Sequence, residues 1–174
     1  EVRYRGILDW DTPIHWIDTS EMAFKEEFVG ETFGRINKAE ADLLLSELKI
    51  YINRISGNRI LEEKIDFGII SPYKAQVQYL RNKIKADASL KPYRSLFTVN
   101  TVDGFQGQER DVIFISLVRA NEEGQIGFLN DLRRMNVAIT RARMKLVILG
   151  EAETLKHHGF YRKLLEFIQN IGNQ

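Results

Sequence analysis

Cysteine is absent from this 174-residue chain, and histidine occurs only three times. The lack of cysteine excludes disulfides and thiolate metal sites, and the scattered histidines form no metal-binding pattern, so we expect no metal site within the chain. An excess of either charge is also missing, because 25 Lys and Arg residues face 24 Asp and Glu residues and leave a formal net charge of +1. The chain as a whole has no excess positive charge that would indicate nucleic-acid binding, so any contact with phosphate must be local.

Long hydrophobic runs and a phosphate-binding loop are missing as well. The apolar stretches around Ile113 and Val147 are far shorter than the length of about 20 residues that crosses a bilayer, so we expect no membrane partner. No G-x-x-x-x-G-K-[ST] stretch is present, although this sequence forms the loop that holds the β- and γ-phosphates in P-loop enzymes. No strand ends in a paired Asp and Glu that could ligate magnesium and activate water. The chain therefore lacks the half of a nucleotide-hydrolysing site that binds the phosphates and magnesium.

Length and composition fit one compact domain. A chain of 174 residues that is 44% hydrophobic can bury a core of its own. We expect a single domain over residues 1–174 that is part of a longer chain, because the sequence starts without a methionine or a targeting segment. Aromatic residues follow no clear period in residues 1–35, so we expect an irregular segment there. Nothing indicates secretion, and an intracellular location, in the cytoplasm or in the nucleoid or nucleus, is expected.

Short apolar, β-branched runs alternate with helical patterns along the chain. Five runs are strand candidates: Ile14 to Ile17, Ile65 to Ile70, Leu96 to Val102, Val112 to Val118 and Lys145 to Leu149. Continuous apolarity indicates strands covered on both faces, as in a parallel sheet. One helix should begin at Asn37, because Glu40 follows at capping-box spacing, and others should follow Pro72 and run from Phe160 to Ile171. This alternation predicts a layered α/β domain.

A polar turn interrupts the apolar pattern between Thr101 and Ile113, where the sequence reads TVDGFQGQERDVI. Ligands of open parallel sheets bind outside the carboxyl ends of the strands, where we expect this turn to lie. Gly104 and Gly107 permit close approaches that a β-carbon would block. The segment is either a loop that handles a nucleotide and a polymer backbone or a tight solvated turn, and local chemistry favours neither.

Two arginines stand two residues apart in the stretch from Asn136 to Arg143, NVAITRAR, directly before a strand-like run. Guanidinium is always charged, planar and forked, so it suits the spread charge of a transferring phosphoryl group better than an ammonium does. A helix end that carries Arg141 beside a buried sheet is therefore a candidate phosphate-binding site. A solvated charge is the alternative, and spacing alone does not decide between them.

The helix that leads to these arginines should be capped by Asn130 or Asp131. Its register would place Arg134 and Arg141, seven residues apart, on nearly one face. For Arg143 the favoured interpretation is a solvated charge or an ion pair at the sheet edge.

Around Ser71, the run IDFGIISPYKAQVQYLR turns from a buried strand into a helix through Ser-Pro. A hydroxyl followed by a helix amino terminus suits a phosphate, because the first backbone amides of a helix lack intrahelical partners. An ordinary helix start, with Ser71 as the cap and Pro72 in the first helical position, explains the same residues. Both interpretations stay open at this point.

Taken in order, these segments resemble the second RecA-like domain of superfamily 1 helicases, in the group that includes the nonsense-mediated-decay helicase. IISPYKAQVQYLR resembles the region of motif IV, TVDGFQGQERDVI resembles motif V, and GFLNDLRRMNVAITRARMKLVILG resembles motif VI. The likeness covers most of Ile65 to Gly150, and motifs V and VI at this spacing are highly specific. Leu132 stands where the family often has proline, which would only suit the first helical turn. The resemblance implies a three-layer RecA-like α/β fold with a mainly parallel sheet flanked by helices.

The resemblance also implies roles for individual residues. Arg141 would be the arginine finger that reaches the γ-phosphate of ATP, which an upstream P-loop domain would hold with Mg²⁺. Glu109 would contact the ribose or help to sense the γ-phosphate, and Gly107 would let the backbone pass close to the nucleotide. Four residues would contact single-stranded nucleic acid, DNA or RNA: Ser71, Pro72, Asn100 and Thr101.

The function implied by the resemblance is that of the C-terminal motor domain of an ATP-dependent helicase or translocase. Such a domain is an enzyme only within the longer protein, because the Walker A and B motifs are missing from this chain. Two alternatives stay open. One is the motor of a helicase fused to a nuclease, and the other is a non-catalytic RecA-like module that binds nucleic acid or protein.

Overall fold

The computed structural model describes residues 13–30 and 34–172. The strands are β1 (Ile14–Asp18), β2 (Glu27–Val29), β3 (Gly34–Ile36), β4 (Phe67–Ile70), β5 (Phe97–Asn100), β6 (Arg110–Ser116) and β7 (Ala142–Gly150). The helices are α1 (Lys38–Ile55), α2 (Gly57–Glu63), α3 (Lys74–Ala86), α4 (Leu132–Ile139), α5 (Ala152–Leu155) and α6 (Gly159–Gly172). Short 3₁₀ turns connect several of these elements.

Five strands form one sheet in the order β1-β7-β6-β4-β5, and every neighbouring pair is parallel. Each of the five strands falls within or overlaps one of the five apolar runs of the sequence, so the parallel α/β prediction is confirmed. A separate antiparallel hairpin, β2 and β3, lies in the segment predicted to be irregular. Strands of three residues are too short for a period to be visible in the sequence. The predicted irregularity around Trp10 and Phe33 lies outside the described residues.

The sheet separates two apolar cores. Alternate residues of a strand point to opposite faces, so Phe67 and Ile69 of β4 pack against α1, α2 and α3. Ile70 of the same strand packs on the other side, with α4, α5 and α6. Helices therefore cover both faces, which confirms the three-layer arrangement and explains why the central strands are continuously apolar.

The start of α1 lies where the sequence predicted it, but the capping box is only half formed. The Asn37 side-chain oxygen accepts a hydrogen bond from the Glu40 backbone N–H at 3.0 Å. The Asn37 N–H donates to Gln76 Oε1 at 3.0 Å instead of to Glu40. The Glu40 carboxylate is buried and extends to the end of β6, where it accepts from Ser116 Oγ at 2.5 Å and from the Val118 N–H at 2.8 Å.

This buried network fixes an unusual backbone conformation after β6. Val118 has a φ of +72°, in the left-handed region that a β-branched residue rarely adopts. Such a conformation costs on the order of 1–3 kcal/mol and persists only where the surroundings determine it. Glu40 holds the Val118 N–H, and Asn37 Nδ2 donates to its carbonyl at 3.0 Å. The network thereby sets the direction in which Arg119 leaves the sheet.

The same network predicts a pH dependence of stability. Burial raises the pKa of the Glu40 carboxyl from 4.5 to about 7. The folded state therefore binds this proton more tightly than the unfolded state. Its contribution to the free energy of unfolding is fully present below pH 4.5 and falls by about 3 kcal/mol as the pH rises through 7. Glu40→Gln has no carboxyl to titrate, so relative to this variant the wild type should lose stability between pH 5 and pH 8.

Urea denaturation of both proteins at the two pH values measures this difference. Glu166→Gln, which replaces an exposed glutamate of α6, is the matched control and should keep the pH dependence of the wild type. A stability difference between wild type and Glu40→Gln that is the same at pH 5 and pH 8 would contradict the prediction.

Candidate functional site

The predicted site residues separate to opposite edges of the sheet. Glu109 and Arg141 directly precede β6 and β7, at the amino ends of the strands, which we call the amino edge. Ser71 follows β4 and Asn100 ends β5, at the carboxyl ends, which we call the carboxyl edge. The expectation that the whole turn from Thr101 to Ile113 lies at the carboxyl ends is therefore wrong, because its later residues reach the amino edge.

The turn after β5 passes from one edge to the other across the face of β4. Its 3₁₀ turn places the fully buried ring of Phe105 over Gly68. A β-carbon at Gly68 would lie 2.9 Å from the Phe105 ring and 2.4 Å from Ile113 Cδ1, so only glycine leaves room for this crossing. Further on, the Arg110 guanidinium lies 5.6 Å from the centre of the Phe105 ring. Phe105 thus anchors the middle of the turn.

Arg141 lies in the tight turn between α4 and β7, not on the helix. The helix ends at Ile139, so the prediction that Arg134 and Arg141 share one helical face is wrong. The Thr140 hydroxyl bonds back to carbonyl oxygens of the last helical turn and closes the helix there. At the amino end of α4, the cap is Asp131 rather than Asn130, the other predicted candidate. Its side chain accepts a hydrogen bond from the Arg134 N–H at 3.2 Å.

Three neutral oxygens hold the guanidinium of Arg141. Its Nε donates to the Val137 carbonyl at 3.1 Å, and its Nη atoms donate to the Gln108 carbonyl and to Thr140 Oγ1, each at 3.2 Å. Within the described part of the chain it has no carboxylate partner, so its positive charge is not neutralised locally. The Arg110 N–H also donates to the Arg141 carbonyl at 3.0 Å. These bonds join the turn before β6 to the turn before β7 at the amino edge.

Arg143 has the opposite environment. Its guanidinium lies 3.0 Å from Asp111, 3.5 Å from Asp66 and 3.7 Å from Glu109. The interpretation of Arg143 as an ion pair at the sheet edge is thereby confirmed. Burial raises the pKa of the Asp66 carboxyl, while the nearby Arg143 charge opposes that rise. Among the described residues, Arg143 therefore has carboxylate partners, whereas Arg141 has none.

At the carboxyl edge, Pro72 and Thr101 line one narrow cleft together with Phe128 and Arg134. The Asn100 side chain bonds to the next residue of the chain, since its Oδ1 accepts a hydrogen bond from the Thr101 N–H at 2.8 Å. The structure therefore brings the predicted pair Pro72 and Thr101 to one surface. Asn100 does not line this cleft but holds the backbone of Thr101.

Ser71 is fully buried, and its hydroxyl accepts a hydrogen bond from the Tyr73 N–H at 3.4 Å. Tyr73 is the cap of α3, which begins at Lys74, so the ordinary helix start with Ser71 as cap and Pro72 in the first helical position is wrong. Tyr73 has an extended backbone (φ −109°, ψ 123°), which separates Pro72 from the first helical residue.

The sequence did not reveal the buried ion pair next to this edge. Arg119 follows the Val118 bend and is almost fully buried, with its Nε 2.9 Å from Glu26 Oε2. Its Nη1 lies 3.4 Å from the Tyr73 hydroxyl. The partners are far apart in the sequence, so no local pattern pairs them. The one available signal is an arginine that directly follows a continuously apolar strand.

Two further properties concern the described residues as a whole. Among them, no group of three or more His, Cys, Asp or Glu side chains could hold a metal ion. None of their helices is both long and apolar enough to cross a membrane.

Comparison with known proteins identifies a family and several relatives of this chain. A sequence model of the family described as AAA domain matches residues 3–153. The probable helicase MAGATAMA 3 of Arabidopsis thaliana is 41% identical over 137 residues, which are 79% of this chain and 16% of that protein. The DNA polymerase alpha-associated DNA helicase A of Saccharomyces cerevisiae is 38% identical over 151 residues, 87% of this chain and 21% of that protein.

A third relative is the regulator of nonsense transcripts 1 homolog of Drosophila melanogaster, which is 36% identical over 148 residues, 84% of this chain and 12% of that protein. The chain thus spans only a small part of the length of these curated relatives. The family match extends over most of the chain and agrees with its parallel, three-layered sheet. The chain therefore belongs to the AAA domain family, as a second RecA-like domain of the superfamily 1 helicases.

Proposed function

We propose that this chain is the C-terminal motor domain of an ATP-dependent helicase or translocase. It completes an ATP site at the amino edge and binds single-stranded nucleic acid at the carboxyl edge. The observation that carries the proposal is the Arg141 guanidinium, which is fixed by three neutral oxygens and has no carboxylate partner among the described residues. A fixed, uncompensated guanidinium is what the spread charge of a transferring phosphoryl group requires.

In this proposal an upstream P-loop domain supplies most of the ATP and Mg²⁺ site, because this chain lacks the phosphate-binding loop. Arg141 acts as the arginine finger on the γ-phosphate. Glu109, whose side chain is 56% exposed, contacts the ribose or senses the γ-phosphate. Gly107 has a φ of +76° and open space where a β-carbon would stand, so a nucleotide has access to its backbone.

At the carboxyl edge we assign the direct contacts with the strand to Pro72 and Thr101, which line the surface cleft. Ser71 and Asn100 hold these residues in place through the hydrogen bonds to Tyr73 and Thr101. Backbone contacts made by neutral groups set the register of a strand without reading its sequence. They also suit a chain of net charge +1.

The turn from Thr101 to Glu109 links the two proposed sites. One end lies at the carboxyl edge, the other lies at the amino edge, and Phe105 anchors it between them. Closure of two RecA-like domains around ATP, followed by reopening after hydrolysis, would move both along the strand. This role places the protein inside the cell, where nucleic acid is present, in the cytoplasm or in the nucleoid or nucleus.

In this proposal the ATP site is divided between an upstream P-loop domain and this chain. The divided site predicts that the isolated 174-residue chain hydrolyses no ATP, with or without single-stranded DNA or RNA. Linked to its native upstream region, the chain should show Mg²⁺-dependent hydrolysis that a single strand stimulates. Phosphate release measures both. Robust turnover by the isolated chain would refute the divided site.

The alternatives give other results. A linked protein that binds the strand but never hydrolyses ATP would instead be a non-catalytic module. A nuclease-fused motor is identified by cleavage of a labelled strand by the full-length protein.

A further inference from the structure

We propose that the cleft beside Phe128 receives an unstacked base of the bound single strand and its adjoining phosphate. The Phe128 ring is the stacking surface, and Arg35 is the phosphate contact. This inference rests on the proposed function and extends the strand site beyond Pro72 and Thr101.

Phe128 is held as a rigid platform. Its ring stacks on Tyr73, with ring centres 5.2 Å apart and planes inclined by 24°. Tyr73 is buried beneath it, yet 46% of Phe128 is exposed. Because one face of the ring lies on Tyr73, the exposed part is the other face and its edge. An exposed aromatic ring that is fixed from behind offers a flat apolar surface at little cost in conformational entropy.

The position of Phe128 connects two clefts. One is the narrow cleft that contains Pro72 and Thr101. The other has a volume of about 510 Å³, and Arg35, Gln125 and Asn130 are among the residues that line it. Phe128 forms part of both walls, so a strand that passes over Pro72 and Thr101 continues directly onto the ring. This continuity favours a strand over a separate small molecule as the occupant.

The larger cleft keeps a positive charge. Arg35 Nε and Arg119 Nε lie 3.4 and 2.9 Å from the same carboxylate oxygen of Glu26. Two guanidiniums therefore share one carboxylate, which leaves one charge uncompensated within this cluster. Arg119 is buried, whereas the Arg35 side chain is 32% exposed and accessible to a phosphate. Guanidinium is well suited to phosphate because of its planar fork.

Arg119 is a positioning residue for this platform. Gly127, directly before Phe128, has a φ of +52°, and a β-carbon there would lie 2.1 Å from Arg119 Nη1 and 2.9 Å from the Tyr73 hydroxyl. The loop therefore closes over Arg119 only because this position is glycine. Tyr73 supports the ring from below and its hydroxyl accepts from Arg119 Nη1, while Arg35 lines the same cleft.

Phe128→Ala in the full-length protein tests the stacking role. Loss of one base stack should weaken the binding of a fluorescent single-stranded oligonucleotide by roughly 5- to 150-fold. Phe128→Tyr keeps the ring and should bind within a few-fold of the wild type. Phe167→Ala removes a phenylalanine of similar exposure, 55%, from α6 and should bind like the wild type. Thermal unfolding of each variant separates lost binding from lost folding.

Phe128→Trp gives a second measurement that does not depend on the alanine variant. A base stacked on the new ring should quench its added fluorescence when the oligonucleotide binds, whereas ATP alone should not. Quenching by ATP alone would make the cleft a mononucleotide site and overturn the inference. Wild-type affinity of Phe128→Ala, or a fluorescence of Phe128→Trp that the strand leaves unchanged, would overturn it while the proposed function stands. A wild-type protein that binds no strand would refute both.

Discussion

Replacing Arg141 by lysine should lower strand-stimulated ATP turnover of the full-length protein by about 10³-fold or more, within the range of about 10³ to 10⁵ that such fingers contribute. Lysine keeps the positive charge but loses the planar fork. In the wild type the fork bonds at once to the carbonyls of Val137 and Gln108, which fixes its direction. A single ammonium cannot make these contacts and also reach a phosphate. Phosphate release at saturating ATP and strand measures the effect.

The same experiment needs a control for the loss of any arginine near this turn. Arg133→Lys changes an exposed arginine of α4 in the same way and should leave turnover within a few-fold of the wild type. The loss in Arg141→Lys should fall on kcat more than on the affinity for ATP, because the finger acts on charge that develops during phosphoryl transfer. Normal turnover of Arg141→Lys would exclude the finger assignment.

Much of the fold was predictable because its signals are local. A strand covered on both faces is continuously apolar, and this pattern alone located the five strands of the main sheet. The cap at Asn37 marked the start of α1. Its side chain accepts a hydrogen bond from the backbone N–H of Glu40, three residues later, and this short spacing is visible in the sequence. The alternation of strands and helices then indicated the layered α/β arrangement.

The geometry of the site was less accessible, because it depends on contacts between distant segments. Motif spacing suggested that Arg141 extends a helix, whereas the Thr140 hydroxyl ends the helix before it. The local sequence does not indicate which carboxylates each arginine contacts. Arg143 contacts three, whereas Arg141 contacts none among the described residues. Likewise, the Glu40 carboxylate looked like half of a capping box, yet it bonds to the far end of β6. Sequence patterns locate such residues but do not assign their partners.

Phe105→Ala should lower the free energy of unfolding by about 3–5 kcal/mol, the usual cost of removing a buried phenylalanine. The ring is fully buried over Gly68 on one face of the sheet, so its loss leaves a cavity at the point where the turn crosses the sheet. This is a large share of a typical stability of about 5–15 kcal/mol. Urea denaturation measures it, and a loss below about 1 kcal/mol would contradict the assignment of Phe105 as the anchor of the turn.

Phe105→Leu, a milder change, tests whether this anchor also couples the two edges. Phe114→Leu is the matched control, because Phe114 is equally buried but packs in the opposite core, away from the turn. Both variants should lose similar stability, and both should hydrolyse ATP, since Arg141 is unchanged. Only Phe105→Leu should respond less to the strand, because its turn joins Thr101 at the carboxyl edge to Glu109 at the amino edge. Equal stimulation of both variants would mean that the strand signals by another route, through domain closure rather than through this turn.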